Sequence, residues 1–255
     1  MASTSTSNTH VRLEIEGPHA EIVLASPDGE LNMLSGDALH TLGAHVAHLR
    51  KESTIRTTTF RAEGKVFVAG ADVKELAKLD EEQAREYVTL GHGVMADLAA
   101  LPSITVAAIQ GAAIGGGLEV ALACDFRLAV RSAKLGFPEV SLGLMPAWGG
   151  VGRLMKLVGM SRAKRLFLSA VPLSAEDGLG WGLVDEVVNS PEDLLARTRA
   201  FCRSFYRAGP RAVALAKRAA RDFDDLGSFM ECLQGKESRE GLAAFLAKRP
   251  AAWME

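Results

Sequence analysis

The segment from residue 104 to residue 119, Ile-Thr-Val-Ala-Ala-Ile-Gln-Gly-Ala-Ala-Ile-Gly-Gly-Gly-Leu-Glu, constrains this chain more than any other. Residues 104–109 are almost wholly apolar and too few for a stable helix, which predicts a strand covered on both faces. Three consecutive glycines follow at residues 115–117, and helical composition begins at Leu118. Glycine lets main chain approach a neighbour closely or take a positive φ. The free N–H groups of a helix start point outward, and the helix dipole there favours negative charge. Those are the ingredients of a site that stabilises an oxyanion. A tight turn with a close strand–helix contact needs the same residues, so this segment alone leaves both readings open.

The remaining pattern is consistent with a covered sheet. Residues 11–16 and 20–26 alternate apolar and polar side chains around Gly17-Pro18-His19, which predicts a hairpin. Leu39, Leu42, Val46 and Leu49 form one stripe of a helix over 35–50 with Ser35 as N-cap. Residues 57–61 read as a strand. Asp80 with Gln83 resembles a capping box that opens a helix running to about residue 101, before Pro102. Short strands are expected at 126–130 and 135–137, on either side of a turn, after a helix over 118–124. Beyond residue 140 the texture is helical, with helices at 161–170, 174–180, 191–205, 210–222 and 238–248. Ser190-Pro191 is a strong helix start. The fold class is α/β with a helical C-terminal portion.

Composition narrows the function. The 255 residues carry 29 Lys and Arg against 31 Asp and Glu. That near balance gives no electrostatic reason to expect nucleic acid. No apolar run approaches the roughly 20 residues of a bilayer helix, so no membrane partner is expected. Three cysteines without a C-x-x-C suggest neither a disulfide framework nor a zinc site, and a reducing, cytoplasmic location fits. Residues 1–10 lack the features of a signal peptide and read as a flexible tail. G-x-S-x-G, G-x-G-x-x-G and the phosphate-loop pattern are all missing. The six histidines lie outside the notable segments.

Two further stretches stand beside the triple glycine. Residues 67–74 read Phe-Val-Ala-Gly-Ala-Asp-Val-Lys, small residues where a turn is expected. Residues 136–150 bring Glu139 beside Pro138 and end in Pro146-Ala147-Trp148-Gly149-Gly150. Glu119 and Glu139 thus each adjoin an unusual main-chain segment. Taken singly, Glu119 is a first-turn carboxylate on a helix dipole and Glu139 a surface charge.

Together the segments resemble the enoyl-CoA hydratase/isomerase, or crotonase, superfamily. FxAGADxKE matches residues 67–75, GxxxGGGxE matches 111–119 with Ala-Cys-Asp at 123–125, and PEVxLGLxP matches 138–146. The resemblance spans nearly the whole chain after the tail. It implies a crotonase-like spiral of ββα repeats over 11–190 and a C-terminal helical trimerisation region over 191–255, with homotrimers or homohexamers. It implies an acyl-CoA substrate, with coenzyme A as part of that substrate and no separate cofactor or metal. The oxyanion hole falls by motif position on the N–H groups of Ala71 and Gly116, and the catalytic acids on Glu119 and Glu139. Ala69, Asp72, Val73, Lys74, Gly115, Pro138, Ala147 and Trp148 fall at substrate-binding positions.

Both glutamates are kept, which favours hydration of a 2-enoyl-CoA, as in fatty acid metabolism. Isomerisation, decarboxylation and thioester hydrolysis share the same oxyanion site, and a non-catalytic acyl-CoA-binding subunit is a further alternative. Two departures stand out. Where many hydratases read Pro-Gly-Ala-Gly-Gly, this chain has Ala147 and Trp148; the Ala147 N–H is available to a water, and the indole either packs inside the protein or narrows the acyl pocket. The loop over 27–32 is acidic where relatives often carry a basic residue near the nucleotide, with Lys74 as a possible substitute. Asp125 is expected to organise a turn, and Lys217 to be a surface charge.

Overall fold

The computed structural model describes residues 9–27, 29 and 31–254. Residues 1–8 of the expected tail, and Asp28 and Glu30 of the acidic loop, lie outside the described residues. The two described residues of that stretch are ordered: Thr9 is buried, its hydroxyl accepts the Met33 N–H at 3.0 Å, and His10 already begins the first strand.

Strands β1 (His10–Glu16) and β2 (His19–Ala25) form the expected antiparallel hairpin. Helix α1 (Gly36–Lys51) follows with the Ser35 hydroxyl accepting the Ala38 N–H, and buries the stripe Leu39, Leu42, Val46 and Leu49. Next come β3 (Thr57–Ala62), the single turn α2 (Val73–Leu76) and α3 (Glu81–Ala99), whose capping box between Asp80 and Gln83 is complete. Strand β4 (Ile104–Ile109) is buried along its whole length, as its composition requires. The supposed turn at 111–117 contains a two-residue strand, β5 (Ala113–Ile114), and α4 begins at Gly116 (Gly116–Ala123). Strands β6 (Phe126–Val130) and β7 (Lys134–Gly136) complete the central part.

The C-terminal half adds α5 (Gly150–Val158), α6 (Met160–Ser169), β8 (Leu173–Ser174), α7 (Ala175–Trp181) and β9 (Glu186–Val188). Helices α8 (Pro191–Ser204), α9 (Pro210–Asp222), α10 (Asp225–Leu233) and α11 (Lys236–Leu246) end the fold.

The strands divide between two sheets. One has the order β1-β2-β3-β4-β6-β9, parallel from β2 onward; the other is β5-β7-β8. The chain alternates between them. β4 enters the large sheet, β5 the small one, and α4 follows; β6 and β7 repeat the move before α5. Val68 makes the same step after β3 by bridging Ala113. Each repeat is two extended segments and a helix, so the ends of successive repeats stack beside one another. That stacking brings segments 67–72, 113–119 and 137–150 together.

Lys217 is not the expected surface charge. Its ammonium donates to Asp125 Oδ2 and to the Ser103 carbonyl, each at 2.5 Å, and Asp125 also accepts the Thr105 N–H at 2.7 Å. The pair ties α9 to the start of β4. Asp125 therefore has the structural role expected of it, and Lys217 is committed to that contact because the C-terminal helices fold back over the sheet.

Candidate active site

The three segments interlock through main chain. Val68 accepts the Ile114 N–H at 3.0 Å and donates to the Ala112 carbonyl at 3.1 Å. Ala69 donates to Asn32 O at 2.8 Å, and the Leu34 N–H donates to Gly70 O at 2.9 Å. Asn32 is fixed in turn because its amide donates to the carbonyls of Glu63 and Val66. The 67–72 loop is thus held from both sides.

Each residue of the triple glycine is dictated by a different neighbour. A Cβ on Gly115 would lie 2.8 Å from Glu139 Oε1, and its φ is +55°. One on Gly116 would lie 2.3 Å from the Trp148 ring, and one on Gly117 2.1 Å from Val68 O. The main chain therefore passes directly against the Glu139 carboxyl, the indole and the neighbouring repeat. Gly116 opens α4, so its N–H has no intrahelical acceptor. Among the described residues neither the Gly116 nor the Ala71 N–H has an acceptor, although the two loops touch: a Cβ on Gly70 would lie 3.5 Å from Gly116 N.

Glu119 stands in the first turn of α4 and is 2 % exposed. Its Oε1 accepts the N–H groups of Trp148 and Gly150, both at 2.8 Å. Burial raises its affinity for a proton; those two donors and the Arg153 guanidinium oppose the rise. Arg153 itself donates to Trp148 O at 2.9 Å and to Met95 O at 3.1 Å, so it pins the turn that carries both donors.

Glu139 begins a 3-10 turn, Glu139–Leu142, after Pro138. Its Oε2 is buried without a hydrogen-bond partner. Burial pushes its pKa up to about 7, with a smaller contribution from the charge on Glu119 and some opposition from its own main-chain N–H. Two carboxyls thus share a site with unequal support: both are pushed toward the protonated form by burial, but only Glu119 has main-chain donors from a neighbouring turn to favour its charge.

A cavity of about 640 Å³ joins these groups. Ala69, Ala71, Val73, Gly115, Gly116, Glu119, Pro138, Glu139, Ala147 and Trp148 all line it. Asp72 and Lys74, expected in the same site, do not. The Asp72 carboxylate is buried as the cap of α2, accepting the N–H groups of Lys74 and Glu75 at 2.9 and 3.2 Å. Lys74 is exposed to solvent outside the lining. Trp148 both packs and lines: it is 3 % exposed, meets Tyr87 edge-on at 5.8 Å, and faces the cavity. Phe137 is core, whereas Met145 lines the cavity.

Sequence reasoning missed Tyr87, which lines the cavity while its hydroxyl donates to Leu34 O at 2.5 Å. Ala84, Tyr87 and Val88 share one face of α3 and together form a cavity wall. Their three-and-four spacing was visible, but such spacing marks a buried face without saying what it faces. Arg153 was also missed. Among the described residues no group of acidic, histidine or cysteine side chains could hold a metal ion.

The family model for enoyl-CoA hydratase/isomerase matches residues 14–255. The chain belongs to the enoyl-CoA hydratase/isomerase family. It is 34 % identical over 251 residues to the short-chain-enoyl-CoA hydratase of Clostridium acetobutylicum, covering 94 % of this chain and 95 % of that one. It is 37 % identical over 233 residues to mouse mitochondrial methylglutaconyl-CoA hydratase, covering 86 % and 74 %. Its fold superposes on the enoyl-CoA hydratase of Bacillus anthracis with a TM-score of 0.88 at 33 % identity, covering 96 % and 99 %. The two-sheet spiral with its helical end is therefore the crotonase fold. The chain is an enzyme of the enoyl-CoA hydratase branch.

Proposed function

We propose that this family member adds water across the double bond of a 2-enoyl-CoA, and removes it in reverse. The observation that carries the reading is the pair of carboxyls, one accepting two main-chain N–H groups and one buried with its pKa raised to about 7, beside two unengaged N–H groups in one cavity. The thioester oxygen accepts from the N–H groups of Ala71 and Gly116. Water attacks C3, the π electrons move onto that oxygen, and each donor contributes roughly 3–4 kcal/mol as charge develops. Glu119 takes the proton from the water. Glu139 gives its proton to C2 as the enolate collapses, and a proton passes from Glu119 to Glu139 to reset the pair. One water has then been added. Ala147 lines the same cavity, and its N–H is assigned to orienting that water. Coenzyme A is part of the substrate, and the reaction balances without a redox cofactor.

The test is steady-state hydration of crotonyl-CoA by Glu119→Gln and Glu139→Gln. Each is expected to lose at least about 100-fold in kcat, the usual scale of a positioned acid or base. Near-normal turnover by both variants defeats the reading. Loss in Glu139→Gln alone, with products of double-bond migration, points to isomerisation instead.

We also propose self-assembly through the C-terminal helices, as a homotrimer or a pair of trimers. Phe223, Leu226, Phe229, Phe245 and Leu246 are exposed on that part of the chain, and large exposed apolar groups in one region mark contact surfaces. Sedimentation equilibrium reads the stoichiometry directly, and a monomer at micromolar concentration refutes it.

A further inference from the structure

We propose that the Trp148 indole is the end-stop of the acyl pocket and restricts this enzyme to short 2-enoyl thioesters. The inference rests on the hydratase reading and adds the substrate class to it.

The cavity has an open and a closed end. Leu142, Leu144, Met145 and Val73 lie at the open rim, Met145 65 % and Val73 50 % exposed. Glu119, Tyr87 and Trp148 form the closed end and are nearly inaccessible. Coenzyme A is large and polyanionic, so it leaves through the rim. With the thioester at Ala71 and Gly116, the acyl carbons beyond C3 run past Glu119 toward the closed end. The wall they meet is the residue whose own N–H holds Glu119.

That wall fits too tightly to swing aside. The indole is held between two helices at places where neither carries a side chain. A Cβ on Gly91 of α3 would lie 2.3 Å from ring atoms Cε2 and Nε1, and one on Gly116 of α4 2.3 Å from Cζ3. Tyr87 meets it edge-on and is itself fixed through its hydroxyl. The turn on which Trp148 sits is anchored by Arg153 to Met95 O and by the His92 ring at 3.3 Å from Ala147 O. Replacing the indole with a methyl group opens a slot between α3 and α4 with room for roughly four methylenes, because a packed interior closes only partly over lost volume. The main-chain donor to Glu119 survives the replacement.

The experiment compares the wild type with Trp148→Ala and Trp148→Phe. It measures kcat/KM for the four-, six- and ten-carbon 2-enoyl-CoAs, and Kd for saturated butyryl- and decanoyl-CoA. The wild type is expected to favour four carbons over ten by at least about tenfold. Trp148→Ala is expected to move that ratio toward ten carbons by a further tenfold or more, and Trp148→Phe to move it the same way by less. Trp148→Phe keeps a ring between the helices, so it decides the matter if the alanine variant does not fold. An unchanged ratio in a folded variant, or an equal loss at every chain length, overturns the proposal. The binding constants separate the two readings. A shift in Kd without turnover in any protein keeps the end-stop and removes the hydratase assignment. Turnover in every protein with no shift does the reverse.

Discussion

Gly91 and Gly93 lie two residues apart in α3 and offer a matched pair of substitutions. Either change to alanine removes main-chain freedom from the unfolded chain and favours helix by about 1 kcal/mol. A Cβ on Gly93 meets nothing within 4 Å, so Gly93→Ala is expected to stabilise by that amount. A Cβ on Gly91 lies 2.3 Å from the Trp148 ring, more than 1 Å inside normal contact. The indole is 3 % exposed and has Gly116 behind it, so it yields only by moving α3 or the 147–150 turn. Overpacking of this kind costs about 1–3 kcal/mol. Gly91→Ala is therefore expected to be less stable than Gly93→Ala by that full overpacking cost. It is also expected to lose activity, because the turn under strain carries both donors to Glu119 and a displacement near 1 Å costs on the order of 100-fold. Urea denaturation of both variants, with crotonyl-CoA hydration alongside, reads both effects. If Gly91→Ala matches Gly93→Ala in stability, the indole is not wedged and the argument built on it fails.

Two further outcomes concern pH. In the proposed mechanism Glu139, with its pKa raised to about 7, is protonated when it serves C2 in hydration, so kcat/KM should fall as pH rises through about 7. Glu139→Gln should remove that limb along with most of the rate; a limb that survives the substitution assigns it to another group. Glu21 behaves oppositely. The His19 ring 3.6 Å away, with hydrogen bonds from Arg61 and Arg199, lowers its pKa from 4.5 to about 2. That stabilisation, up to about 3 kcal/mol, is fully present above pH 4.5 and is lost as pH falls toward 2. Denaturation midpoints between pH 5 and 2.5 should drop more steeply in the wild type than in Glu21→Gln, and parallel slopes refute the linkage.

Elements with strong local signals were legible in the sequence. The hairpin β1–β2, α1 with its serine cap, α3 with its capping box, the nearly all-apolar β4 and Pro191 at the start of α8 all appear where the residues predict. What escaped reading is short or masked. Strands β5 and β8 have two residues each, too few to show alternation, and form only because a neighbouring repeat supplies their partners. Helix α5 opens on glycines that suggest a loop. Helix α10 carries the stripe Leu226, Phe229, Met230 and Leu233, but Gly227 beside two aspartates imitates a turn. At the site, the motifs located the glutamates and the two loops. They did not show that Asp72 is spent as a cap or that Arg153 braces the donor turn, since both depend on three-dimensional neighbours.

The hydrogen bonds that hold Glu119 come from the amide groups of Trp148 and Gly150 rather than from side chains. Mutation exchanges side chains and leaves amides in place. On the proposed mechanism, a lineage descended from this enzyme can therefore remodel Trp148, Tyr87 or Met145 again and again, exploring new acyl groups, while the support of Glu119 passes through each generation intact.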